Sequence, residues 1–155
     1  MKINSFKVNL FKKLDLLLAD LGNPAAIKRN HIDTVTESKI ENVKGEKIAS
    51  SINGGIWAEI NELSEYSFLD IIVVGNRKIK TFEGCEIIFQ GAEKELKLLS
   101  DTKEIESNYS NVSNRFITEI SFDITNLNID YILDREAEIA TLRHKKEVEI
   151  FKILK

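Results

Sequence analysis

Residues 116–124 read FITEISFDI, and their alternation decides the fold class. Thr118, Ile120, Phe122 and Ile124 fall on one side of an extended chain, and Glu119, Ser121 and Asp123 on the other. Successive strand side chains point to opposite faces, so the pattern predicts one buried and one wetted face, the mark of an antiparallel sheet. FLDIIVVG, residues 68–75, is apolar with a single interruption and belongs in mid-sheet, where both faces are covered.

Outward from these two stretches, segments rich in β-branched and aromatic residues alternate with polar or glycine-bearing breaks from about residue 31 onward. They predict strands over 31–36, 39–43, 47–52, 68–74, 78–82, 85–90, 95–99, 104–107, 116–124, 138–143 and 147–153. Gly75-Asn76, Glu83-Gly84, Gln90-Gly91 and Ser100-Asp101 supply turns. GGIWAEINELSEY, residues 54–66, fits a strand or a helix; Ile56, Ile60 and Leu63 recur at helical steps and favour a short helix over 56–65. NIDYILDREA, residues 128–137, predicts another short helix, and NYSNVSN, residues 108–114, a mobile loop.

The N-terminal portion has a different texture. Phe6, Leu10, Leu14, Leu17 and Leu21 recur at three- and four-residue steps behind a capping Ser5, and Gly22 follows. That is an amphipathic helix over 5–21 with its start and stop signals. Asn23-Pro24 opens a second, short helix over 24–29. The expectation is an α+β protein of one domain, 1–155. An N-terminal amphipathic helix would pack on a mainly antiparallel β body, built as a sandwich or a partly open barrel.

Composition narrows the function classes. A chain of 155 residues, 43% apolar and 30% charged, is long enough to bury a core without metal or disulfide. Its one cysteine, Cys85, cannot form an internal disulfide and suits a reducing compartment. Asp15 and Asp20 interrupt the apolar run near the N-terminus, which predicts neither an export signal nor a membrane span and hence a cytoplasmic protein. Net charge is −3, and residues 1–30, with six basic and two acidic side chains, hold +4, so residues 31–155 hold −7. That balance argues against a duplex-binding face.

Reactive groups are scarce. His31, His144 and Cys85 are the only soft or imidazole ligands, without the spacing a zinc site needs. No phosphate-binding glycine loop and no serine-hydrolase elbow is present. Cys85, between Glu83 and Glu86, lacks the electropositive neighbours that make a thiolate. Gly54-Gly55 is a weak match to an anion-binding turn before a helix. No cofactor or catalytic residue is therefore expected, and an enzyme working through carboxylates alone is the least favoured reading.

Two features point to contact instead. Trp57, the single tryptophan, is either a core anchor or an exposed anchor for a partner or ligand. Arg143, His144, Lys145 and Lys146 form a basic tetrad in TLRHKKEVEIFKILK, residues 141–155. A hairpin here would put Ala140 and Leu142 inward on one arm and Val148 and Ile150 on the other, with the tetrad at a solvated tip; a continuous helix over 134–155 is the competing reading. Without interleaved aromatics the tetrad does not resemble a single-strand platform. The sequence thus predicts a non-catalytic protein-binding module, whose partner is another protein or a second copy, with no nucleic acid and no membrane. A β-barrel carrier of small ligands is the alternative.

Overall fold

A computed structural model describes residues 35–155. The helices expected over 5–21 and 24–29, His31, and most of the strand expected over 31–36 lie outside the described residues. Residues 35–41 are helical, where a strand over 39–43 was expected. Asn42 closes this helix by donating from backbone and side chain to the Ser38 carbonyl, and Gly45 follows at φ 86°, a conformation glycine adopts without steric cost.

Eleven strands follow: β1 (Glu46–Ser51), β2 (Gly54–Leu63), β3 (Tyr66–Gly75), β4 (Lys80–Thr81), β5 (Glu86–Gln90), β6 (Glu95–Leu99), β7 (Ile105–Glu106), β8 (Asn108–Ser110), β9 (Arg115–Asp123), β10 (Ile139–His144) and β11 (Glu147–Ile153). Nine form one antiparallel sheet in the order β6-β5-β10-β11-β1-β2-β3-β9-β8, and β4 and β7 form a small separate ladder. The large sheet curls into a half-barrel, and β6 approaches β9 through an isolated bridge between Ser100 and Phe122. The architecture is therefore the curled form of the expected antiparallel body and not a two-sheet sandwich.

Alternation explains the curl. Thr118, Ile120 and Phe122 of β9 are buried, as are Leu69, Ile71 and Val73 of β3. The apolar ones join Ile56, Phe89, Leu142 and Phe151 in one contiguous core on the concave face. The four-residue helix Asp130–Leu133 adds Ile132, and the β4–β7 ladder adds Ile105 with its neighbour Ile79, to the same cluster. Each large side chain so covered contributes about 1.5–3 kcal/mol. On the convex face the 35–41 helix is tied to the β8–β9 end: Glu37 accepts a hydrogen bond from the Ser110 hydroxyl, and Lys39 lies 3.6 Å from Glu119.

Two local readings give way to tertiary pairing. Residues 56–65 do not form a helix; β2 pairs with β3 through ten consecutive registers, Gly54↔Gly75 to Leu63↔Tyr66. Ile56, Ala58 and Ile60 satisfy a two-residue period as well as a four-residue one, and a neighbour strand on either side decides between them. Residues 108–114, expected as a loop, begin with β8. They then turn around the Ser110 hydroxyl, which accepts from the Val112 and Ser113 amides at 3.1 and 3.3 Å.

Candidate functional site

The basic tetrad lies at a hairpin. His144 pairs with Glu147, and Lys145-Lys146 form a two-residue turn, with Lys145 at φ 53°. The expectation of a solvated tip fails at one of the four residues, because His144 is only 4% exposed. A two-residue turn keeps His144 inside the ladder, and its parity with Ala140 and Leu142 directs it to the concave face. Arg143 points to the opposite face, 3.8 Å from Glu86, and Lys145 and Lys146 are exposed. Among the described residues neither ring nitrogen of His144 has a hydrogen-bond partner, and the Glu147 carboxylate stands 3.6 Å from Nε2. Burial holds the imidazole below its usual pKa; Glu147 opposes that shift, and Lys145 and Arg77 reinforce it.

Register overturns a second expectation. Ala140 faces Phe151 and Leu142 faces Glu149, so Phe151 and Ile153 are the inward residues of β11. Val148 and Ile150 instead lie on the convex face, 47% and 62% exposed. The sequence held a hint of this: in VEIFKI, Ile150 and Phe151 are adjacent, and a strand with neighbouring apolar residues presents one to each face.

Trp57 is absent from the concave core. It lies on the convex face of β2, half-buried, opposite Lys47, whose ammonium sits 5.0 Å from the ring centre. In the sheet order β11 and β1 stand between β2 and β10, so Trp57 and the tetrad are not brought together.

The feature that sequence reasoning missed is a gap within the sheet. β1 and β11 pair only at Ala49↔Ile153 and Ser50↔Lys152. Beyond Ser50 the β1–β2 turn is held toward β3. Asn76 donates to the Asn53 side chain at 3.2 Å, and Gly54 fits so closely that a Cβ there would stand 1.8 Å from the Val74 carbonyl oxygen. The strands part and leave a cleft of about 840 Å³, lined among others by Ile52, Val74, Arg77, Val148, Ile150 and Phe151, within the roughly 300–1,000 Å³ of ligand-sized clefts. Ile52 is fully exposed and Ile139 nearby is 39% exposed. Arg77, just past the end of β3, reaches across to Glu149 at 3.8 Å. Burial raises the pKa of that carboxyl, with Arg77 opposing.

β11 also keeps an open edge along this cleft. The Ile153 N–H donates toward β10, to Glu138, whereas the Leu154 N–H donates toward β1, to Ile48. Hydrogen-bonding direction alternates along a strand, so Val148, Ile150 and Lys152 direct their backbone groups toward β1. Lys152 meets Ser50; Val148 and Ile150 have no strand opposite them among the described residues.

Other chemistry is thin. Burial pushes the Cys85 thiol up to about 11, which disfavours a nucleophilic thiolate. Among the described residues no three His, Cys, Asp or Glu side chains gather as a metal site, and no helix is long and apolar enough to cross a membrane. No protein-family model, curated protein or solved structure matches the chain.

Proposed function

We propose that this protein is a non-catalytic protein-binding module whose partner docks in the cleft between β11 and the β1–β2 turn. The observation that carries the reading is the cleft itself, with Ile52, Ile139, Val148 and Ile150 left exposed around it. Solvent-facing aliphatics gathered at one concavity mark contact surfaces more often than singly scattered ones do. The net charge of −7 on residues 31–155, the total of −3 less the +4 of residues 1–30, favours the approach of a cationic partner at low salt. The concave face is filled by the core cluster, which weighs against a carrier with its ligand inside the curl.

Selection from a random linear-peptide display library tests the reading. Peptides enriched on the wild-type protein should lose at least tenfold in affinity on an Ile150→Asp variant that unfolds at a normal midpoint. Failure to enrich any peptide, or equal binding to the variant, overturns it.

A further inference from the structure

We infer that the partner enters this cleft as an extended segment that adds a strand to the open edge of β11, with aliphatic residues set beside Val148 and Ile150. The inference rests on the cleft being the docking site and adds how it is used. Val148 and Ile150 each turn one N–H and one C=O toward the gap, with no described strand to receive them. Backbone groups so arranged form a template for a further strand, and strand addition draws affinity from the main chain and specificity from alternate side chains. A strand at the normal spacing of about 4.8 Å enters the gap where β1 has turned away. Its side chains opposite Val148 and Ile150 then share the convex face with Ile52 and Ile139, and aliphatic residues there gain cross-strand packing. Those at the intervening positions point toward Glu147 and Glu149, where polar or basic residues fit. A helix presents no free backbone groups along its length and leaves the edge unused.

The experiment takes the peptide with the highest affinity from the selection above and a copy N-methylated at alternate residues. N-methylation keeps every side chain and removes the amides that pair with β11. Binding of the unmodified peptide to the full chain should slow exchange of the Val148 and Ile150 amides at least tenfold. The methylated copy should bind at least tenfold more weakly, as should the unmodified peptide to an Ile150→Pro variant, which lacks one edge donor. Equal binding of both peptides to wild-type protein, still abolished by Ile150→Asp, overturns strand addition and leaves the docking site standing. Loss of the Ile150→Asp effect overturns both. If the Val148 and Ile150 amides are already protected in the peptide-free chain, the edge is covered by the chain's own residues or by a second copy, and strand addition by a partner is overturned.

Discussion

The two flanks of β1 differ sharply. On one side the sheet runs on through β2, β3 and β9 in unbroken ladders, ten registers between β2 and β3 and eight between β3 and β9. On the other, β1 meets β11 at two registers. That junction is reinforced at its closed end by Arg135, which donates to the Ile48 and Leu154 carbonyls at 3.1 and 3.3 Å and pairs with Glu46 at 2.9 Å. A sheet continuous in its strand order is thus uneven in its cohesion, and the weak junction is where space coincides with backbone that no described strand meets. Edges are usually guarded at the rim of a sheet; among the described residues one stands open in the interior of the strand order.

Proline substitution breaks the comparison most directly. Ile72→Pro removes a donor from the β2–β3–β9 ladders and should cost about 3 kcal/mol or more. Ile150→Pro removes one that faces the cleft and should cost about 1 kcal/mol. Equal costs in urea unfolding would show the two flanks to be alike. Arg135→Ala should cost about 2 kcal/mol, since it strips charge-assisted bonds from two carbonyls. Native-state exchange should then quicken at Leu154 and Lys152 more than at Ile71 or Ile120.

Acidity probes the same hairpin. The folded pKa of His144 is lowered, so above the unfolded value of about 6.5 both states are neutral and nothing is lost. As pH falls below 6.5 the unfolded chain takes up the proton first, and stability should drop by at most about 1.4 kcal/mol per pH unit until the folded ring also titrates. His144→Leu should abolish that slope in urea midpoints measured from pH 8 to 5. Glu149, whose folded pKa is raised, acts in the opposite sense: stability falls as pH rises from about 4.5 through its folded value, and Glu149→Gln should flatten this arm. The smallest effect belongs to the turn. Lys145 holds φ 53°, a left-handed conformation costing a side chain about 1–2 kcal/mol. Glycine relieves it but loses more chain entropy on folding, so Lys145→Gly should gain about 0.5 kcal/mol in thermal unfolding.

The antiparallel class, the place of β3 inside the sheet and the inward set of β9 were legible in the sequence, because periodicity is local and burial enforces it; residues 134–155 stayed divided between hairpin and helix until β10 and β11 were seen to pair. The identity of β2 was not, since Ile56, Ile60 and Leu63 suit two periods and only the neighbouring strands choose between them. The facing of β11 was missed because register follows from the size of the turn, and a two-residue loop without glycine or asparagine has no clear signature. The cleft was further from reach. It arises where Asn53, Gly54 and Asn76 pull one hairpin away from a strand almost a hundred residues later in the chain. The adjacent Ile150 and Phe151 mark only that β11 carries an apolar side chain on each face, not what lies beside it.

Cys85 gives the molecule a private gauge. Its sulfur is shut in just ahead of β5, 4% exposed and held as the thiol, and no other cysteine exists in the chain. Its backbone is tied to Ser100 in both directions. A thiol-directed reagent therefore has one address, which answers only when the packing around the start of β5 opens. The pace of labelling in the intact protein is a stopwatch on that opening, and it runs without any foreign dye or engineered tag.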